Sequence, residues 1–158
     1  MEADRRPSFA EQGFYDLFMP ELPEVETTRR SFACRIDRAT VLSARLGAAL
    51  RWPLNCTTES LVGCTVGQTE RRGKYLWLPL SHGGQAAGGL LMHLGMSGSL
   101  AFRESVLPPG KHDHFDLILS DQTILRLRDP RRFGAVLWQT GDILQHPLLM
   151  NLGPEPLT

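Results

Sequence analysis

The sequence has no continuous apolar run of the roughly 18 residues that a membrane-spanning helix needs. It has only three cysteines, and none of them form a C-x-x-C pair, which argues against a structural zinc site or a disulfide framework. The first 18 residues include four acidic side chains and no apolar signal-peptide core. We therefore expect a cytoplasmic protein that has no membrane contact, metal or other cofactor.

Lysine is almost missing as well, because Lys74 and Lys111 are the only lysines among 17 basic residues. The balanced net charge hides an uneven distribution, with seven acids and two bases in residues 1–26 and fifteen bases and ten acids in residues 27–158. Arginine binds phosphates in a planar, bidentate geometry, which favours a phosphate-bearing ligand. GC-rich coding DNA would also enrich arginine, so composition alone leaves both explanations open.

The apolar pattern predicts one helix followed by many short strands in a single domain. Apolar residues recur at helical spacing after Pro23, which predicts a helix from about residue 23 to 37. Shorter apolar runs predict strands at residues 40–46, 65–69, 75–80, 90–94, 115–119, 123–128 and 135–138. Glycine, proline and polar clusters predict a flexible loop at 81–89 and turns at 107–110 and 120–122. The expected fold is mainly β with flanking helices (α+β): a β-sandwich of short antiparallel strands with an N-terminal helix.

Three motifs carry side chains that are suited to nucleic acids. Residues 93–99 (HLGMSGS) form a tight loop around Met96, either an exposed apolar wedge or an ordinary turn with Met96 buried. Residues 129–134 (DPRRFG) place arginines beside Phe133, which suits phosphate pairing with base stacking, or else a solvated turn with Phe133 in the core. Residues 71–75 (RRGKY) form a basic cluster that either binds phosphates or is a solvated edge.

A fourth cluster raises a metal hypothesis. On an extended strand, His112, His114 and Asp116 would share one face. No cysteine-rich partner or H-E-x-x-H helix accompanies them, so a polar network that orients a loop is preferred. A metal-dependent β-sandwich hydrolase is the remote alternative.

Six motifs together resemble those of formamidopyrimidine-DNA glycosylases, which repair oxidised purines such as 8-oxoguanine. In order, they are residues 20–27 (PELPEVET), 71–76 (RRGKYL), 93–100 (HLGMSGSL), 111–114 (KHDH), 129–134 (DPRRFG) and 152–157 (LGPEPL). The resemblance implies the β-sandwich catalytic domain of a bifunctional glycosylase and abasic-site lyase. It also implies a monomer acting in the bacterial nucleoid on double-stranded DNA that contains oxidised purines.

The resemblance assigns catalytic roles to four residues. Pro20, freed of Met19, would attack C1′ of the damaged nucleoside and form an iminium that drives β- and δ-elimination. Glu21 would be the general acid and base, and Glu24 would support the site. Lys74 would contact phosphates that flank the lesion.

The remaining implied residues bind DNA. His93 matches a phosphate contact, and Arg71 lies in the basic cluster. Met96, Arg131 and Phe133 match the trio that fills the gap left by the flipped base, with Arg131 facing the orphaned cytosine.

Two features depart from the family pattern. Residues 1–18 precede Met19 and are expected to be an extension outside the domain, which would span residues 19–158; while they stay attached, Pro20 is an amide without a nucleophilic nitrogen. The family's helix–two-turn–helix domain and its zinc finger, which holds one structural zinc, are expected to be absent. A remnant that keeps the fold and binds DNA weakly is therefore the alternative to an active enzyme.

Overall fold

A computed structural model describes residues 22–95, 97–105 and 107–141. Its helix α1 spans Leu22–Ile36, which confirms the expected helix to within one residue at either end. Val25, Phe32 and Ile36 lie on its buried face, while Glu24 and Arg35 occupy the first and last turns, where their charges complement the helix dipole. After the helix, Arg38 takes a positive φ of 70° and its amide donates to the Val66 carbonyl, so the chain turns here from the helix towards the strands that follow.

Nine strands and a short 3-10 helix follow α1. The 3-10 helix is Thr58–Leu61, and the strands are β1 Val41–Leu46, β2 Thr65–Val66, β3 Glu70–Arg72, β4 Tyr75–His82, β5 Gln85–His93, β6 Ser99–Arg103, β7 Asp113–Leu119, β8 Ile124–Arg128 and β9 Ala135–Gln139. One sheet has the order β1-β7-β8-β6, and the other has the order β2-β4-β5-β9 with β3 beside β4. Every recorded strand pair is antiparallel, as expected.

The main core fills the space between the two sheets and beneath α1. Alternate residues of β4 and β5, such as Leu78 and Met92, pack in one cluster with Phe115 and Leu125 of the other sheet and with Phe32 of the helix. A second buried cluster lies on the outer face of the β4-β5-β9 sheet, where Trp52 packs against it. No helix among the described residues is long and apolar enough to cross a membrane.

The expected flexible loop at residues 81–89 is wrong, because β4 and β5 continue through it as a hairpin. Gly83 and Gly84 both have positive φ, 59° and 83°, as a two-residue hairpin turn requires. Gly88 and Gly89 lie within β5, where a Cβ atom would come within 2.8 Å of Trp138 and 2.6 Å of Trp77. A Cβ atom would lie still closer to a backbone carbonyl of the neighbouring strand, that of Gln139 for Gly88 and that of Leu78 for Gly89, so these glycines permit close strand and ring packing rather than chain flexibility.

Two strands are absent from the sequence prediction, and two others, β5 and β7, begin earlier than expected. Residues 99–103 form β6 and residues 70–72 form β3, and both strands lie at the margins of their sheets. All three residues of β3 are charged, and Leu100 is the one buried residue of β6, so both strands carry a weak apolar signal. The β7 strand begins at Asp113 and takes in part of the histidine-rich motif.

Candidate active site and nucleic-acid interface

Three of the sequence motifs meet at one end of the five-stranded sheet. Tyr75, the first residue of β4, pairs with His93, the last residue of β5, and His93 pairs with Ala135, the first residue of β9. The β3–β4 turn, Gly95 after β5 and residues 129–134 before β9 therefore lie side by side at this end. The motifs are far apart in sequence, so strand register alone brings them together.

The first two turns of α1 are tied to the same end of the sheet through Glu26. This carboxylate accepts hydrogen bonds from Arg29 at 2.6 and 3.0 Å and from Arg30 at 3.0 Å. The Arg71 guanidinium lies 3.3 Å away from it, and Arg29 also donates to the Thr69 carbonyl. The hydrogen bonds from Arg29, with those from Arg30, outweigh partial burial and lower the pKa of Glu26 from 4.5 to about 2.

Replacing Glu26 with glutamine is expected to lower the free energy of unfolding by about 1–2 kcal/mol at pH 7, since the ion pairs are partly exposed. Because the folded pKa is depressed, this stabilisation is complete above about pH 4.5 and is lost as the pH falls towards 2. Urea unfolding of both chains from pH 7 to pH 2 tests this. Glu104→Gln, at the exposed ion pair with Arg35, is the matched control and should change little. A Glu26→Gln deficit that persists unchanged at pH 2 would contradict the ionic explanation.

Arg71 links Glu26 to the turn that carries Lys74. Its Nη1 donates to the Gly73 carbonyl at 3.0 Å, and Gly73 has a φ of 60°, which favours glycine. Lys74 follows this turn and is partly exposed. A contiguous path of contacts thus joins α1 to the turn that carries Lys74.

The motif at residues 93–99 and the motif at residues 129–134 approach each other closely through the backbones of Gly95 and Gly134. A Cβ on Gly95 would lie 2.8 Å from the Gly134 amide nitrogen, and one on Gly134 would lie 2.7 Å from the His93 carbonyl. Arg131 is exposed, and its guanidinium carbon lies 5.6 Å from the centre of the Phe133 ring, within range of a cation–π contact. The loop therefore presents a cation and an aromatic ring as a pair.

Residues 19–136 match the family model described as the formamidopyrimidine-DNA glycosylase N-terminal domain. The chain belongs to the formamidopyrimidine-DNA glycosylase family. It is 54% identical over 142 residues to the formamidopyrimidine-DNA glycosylase of Polaromonas naphthalenivorans, with 89% of this chain and 50% of that protein covered. It is 55% identical over 141 residues to that of an Acidovorax species, with 88% and 50% covered. The chain thus spans about half the length of these relatives.

Solved structures of the family share the fold. The Lactococcus lactis enzyme bound to a FAPY-dG-containing DNA superposes with a TM-score of 0.66 at 32% identity, covering 77% of this chain and 45% of that one. A complex described as LlFpg with a THF-DNA and an inhibitor gives a TM-score of 0.67 at 32% identity, covering 78% and 45%. Both identities are high enough to extend the likeness beyond the fold to the family.

The catalytic residues that the resemblance implies for a formamidopyrimidine-DNA glycosylase are placed unevenly. Pro20 and Glu21 lie outside the described residues, as does Met96, so their predicted roles stay predictions. Glu24 is exposed in the first turn of α1, three residues after Glu21 in sequence. Lys74 reaches the same end of the sheet from the β3–β4 turn.

His93 is placed differently from a surface phosphate contact. Its side chain is 2% exposed, its ring lies 4.7 Å from that of Tyr75, and its Nδ1 accepts a hydrogen bond from the Gly95 amide at 2.9 Å. With Nδ1 an acceptor, the neutral ring carries its proton on Nε2. His93 therefore shapes the 95–98 loop, and a phosphate contact through Nε2 remains a prediction.

Asp116, the carboxylate of the metal hypothesis, is engaged in ion pairs with two arginines. Asp116 accepts from Arg45 Nε at 2.7 Å and from Arg126 Nε and Nη2 at 2.8 and 3.0 Å, so both of its oxygens are occupied. Burial lowers the pKa of His114. Within the described ranges no three His, Cys, Asp or Glu side chains are grouped to hold one ion. The cluster is a structural ionic network on the outer face of the four-stranded sheet.

Two polar residues of the site were missed from the sequence. The sequence assigns Glu26 only to the motif at residues 20–27 and Asp129 only to the motif at residues 129–134. Asp129 is fully buried, and a buried carboxylate needs several partners to be stable. The sequence does contain a signal for Asp129, because it is the first residue of the D-P-R-R-F-G turn and directly follows a strand. An aspartate at that place in a turn commonly accepts hydrogen bonds from nearby backbone amides.

Proposed function

We propose that this chain is the catalytic domain of a bifunctional DNA glycosylase and abasic-site lyase that removes oxidised purines, including 8-oxoguanine and formamidopyrimidines, from double-stranded DNA. It acts as a monomer in the cytoplasm, on nucleoid DNA. The reaction uses an amine and carboxylates of the protein and requires no metal. The family membership supports the class of enzyme, and the resemblance of the motifs supports the finer assignments.

One observation carries the proposal. The register of β4, β5 and β9 brings the Lys74 turn, the 95–98 loop and the Arg131–Phe133 pair to one end of the sheet, and the Glu26–Arg71 contact brings the start of α1 to that end. A glycosylase needs a nucleophile, phosphate contacts and a group that fills the gap of the flipped base within a few ångströms. This end of the domain collects the segments that would supply them.

In the proposed chemistry, the neutral secondary amine of Pro20 attacks C1′ and the bond from C1′ to the damaged base breaks. The base leaves with the electron pair of that bond and takes up a proton from solvent. Glu21 transfers the protons, one from the attacking amine and one to the sugar ring oxygen as the ring opens, and the iminium that results draws electrons from the sugar, so that β- and δ-elimination cut the strand on both sides. An α-amino group has a pKa of about 8, so that a useful fraction is neutral at physiological pH. Glu24 supports this site.

The DNA contacts follow from the same end of the sheet. Lys74, His93 and Arg71 would bind the phosphates that flank the lesion. Met96, Arg131 and Phe133 would fill the space of the extruded base, with Arg131 facing the orphaned cytosine. The cation–π distance of 5.6 Å between Arg131 and Phe133 supports their acting as a unit.

Borohydride trapping tests the enzyme directly. A chain that begins at Pro20 should form a covalent adduct with duplex DNA that carries 8-oxoguanine opposite cytosine, and none with the undamaged duplex. The chain that begins at Met1 is the matched control, because its Pro20 nitrogen is an amide and should give no adduct through that residue.

The absence of an adduct from the Pro20 chain would overturn the proposed catalysis for this chain. Salt-sensitive binding of the damaged duplex without trapping would then identify a DNA-binding domain that lacks catalysis. Loss of trapping on adding a chelator would contradict the metal-free chemistry.

A further inference from the structure

We infer that Asp129 is a positioning residue that locks the loop of residues 129–134 against the Ser97 loop, so that Arg131 and Phe133 are held ready before DNA arrives. This inference rests on the proposed function for the use of the two side chains. The locking itself is a property of the free chain. No part of the proposed chemistry requires Asp129 to touch the substrate.

The two carboxylate oxygens of Asp129 serve different segments. Oδ2 accepts a hydrogen bond from the Gly134 amide at 2.7 Å, which closes the loop on itself. Oδ1 accepts from the Ser97 hydroxyl at 2.9 Å, which reaches across to the neighbouring loop. The side chain is 0% exposed, and hydrogen bonds to a buried ionised acceptor are among the stronger ones in proteins.

Ser97 continues the connection to Arg131. Its hydroxyl oxygen accepts a hydrogen bond from the Arg131 backbone amide at 3.3 Å, while the same hydroxyl donates a hydrogen bond to Asp129. The path from Asp129 to Arg131 therefore runs through one hydroxyl, which has to be both donor and acceptor. An alanine at position 97 would break both contacts, whereas a threonine would keep them.

The rest of the 129–134 loop is held by contacts that do not involve Arg131. Arg132 has a φ of 59°, its amide donates to the Asp129 carbonyl at 3.2 Å, and its Nη1 donates to the Ala49 carbonyl at 3.3 Å. The Gly134 carbonyl accepts from the Arg51 amide at 3.0 Å. Arg132 and Gly134 are thus both anchored to the segment of residues 49–51, while the Ser97 contact holds the Arg131 backbone.

A held loop matters because insertion into DNA has a cost in side-chain and loop ordering, which preorganisation reduces. Groups that must occupy the space of an extruded base gain most from being ordered in advance. A site that acts on an abasic sugar has no base to extrude and gains less. Loosening the loop should therefore weaken handling of a base lesion more than handling of an abasic site.

Ser97→Ala tests the inference, with Ser97→Thr as the conservative rescue and Ser31→Ala, at an exposed helix serine, as the matched control. Hydrogen exchange by NMR on the free chain should show the Arg131 amide exchanging about tenfold faster in Ser97→Ala only. On DNA, Ser97→Ala should lose about tenfold in affinity for a duplex with 8-oxoguanine and less than about twofold for one with a tetrahydrofuran abasic site. Ser97→Thr should behave as the parent chain.

Each outcome decides a separate claim. Unchanged exchange at Arg131 in Ser97→Ala would overturn the lock. Faster exchange with equal losses on both duplexes would reduce Asp129 and Ser97 to a general structural role and overturn the positioning claim. If the parent chain does not distinguish damaged from undamaged duplex, the proposed function fails and the use in DNA fails with it, while the exchange result still decides the lock.

Discussion

Replacing Asp116 with alanine is expected to lower the free energy of unfolding by about 3–5 kcal/mol, the range for breaking a buried ion pair by removing one partner. Asp116 is 1% exposed, and its oxygens hold Arg126, itself mostly buried, and Arg45. Arg126 in turn donates to the Leu107 carbonyl at 2.6 Å, which fixes the segment that leads into β7. The alanine would leave the mostly buried Arg126 guanidinium with the more distant carboxylate of Asp113, 3.9 Å away, in place of the direct contact with Asp116. Urea unfolding measures the loss.

Two comparisons separate charge from shape. Asp121→Ala makes the same change at an exposed turn, where the carboxylate bonds Thr123, and should cost much less. Asp116→Leu combined with Arg126→Met removes both charges and should recover most of the stability, as apolar replacements of buried ion pairs do. A double variant as unstable as Asp116→Ala would show that the geometry of the pair, and not the stranded charge, is what matters.

The same residue predicts sensitivity to acid. Burial disfavours the charged form of Asp116, but hydrogen bonds from Arg126 and Arg45 outweigh it and lower its pKa. A depressed folded pKa gives stability that is present above the ordinary value of about 4 and lost as the pH falls through the lowered value. The parent chain should therefore lose stability in that acid range, and the double variant Asp116→Leu, Arg126→Met should lose less of it.

Helix α1 and most strands could be predicted because their signals are local. Periodicity at Val25, Phe32 and Ile36 defines the helix face, and β-branched and aromatic runs define strands without reference to a partner. The hairpin at residues 81–89 could not be predicted this way, because Gly88 and Gly89 are required by the close approach of the neighbouring strands and of the rings of Trp77 and Trp138. Glycine next to a distant aromatic ring looks like a loop until the strand pairing is known.

The residues of the candidate site also divide into those with a local sequence signal and those without one. Residues such as Lys74, Arg131 and Phe133 could be singled out because they lie in short motifs with a chemical meaning. Glu26 and Asp129 could not be, since their roles depend on partners that the fold brings together: Arg71 is 45 positions from Glu26, and Ser97 is 32 positions from Asp129. The sequence thus predicts the groups that would meet DNA, and only the structure reveals those that hold them.

Replacing Gly134 with alanine is expected to lower the free energy of unfolding by about 2 kcal/mol or more, because overpacking at rigid atoms is poorly relieved. The new Cβ would lie 2.6 Å from Asp129 Oδ2 and 2.7 Å from the His93 carbonyl, and neither is the end of a flexible chain. Gly134 does not have a positive φ, so the cost is steric. Displacing the loop should also cut the trapping rate on 8-oxoguanine DNA about a hundredfold, the loss typical of an ångström-scale misplacement.

Gly110→Ala is the matched control for this prediction. Its Cβ would lie 3.2 Å from a carboxylate oxygen of Asp113, which takes no part in the Asp129 contacts. This side-chain oxygen can move by the few tenths of an ångström required. Urea unfolding and borohydride trapping of the two variants should therefore differ in both stability and rate. If Gly134→Ala is as stable and as active as Gly110→Ala, the close approach of the 95–98 and 129–134 loops is not what orders this end of the sheet. In that case the loop hydrogen bonds of Asp129 would have to hold it without the backbone contact.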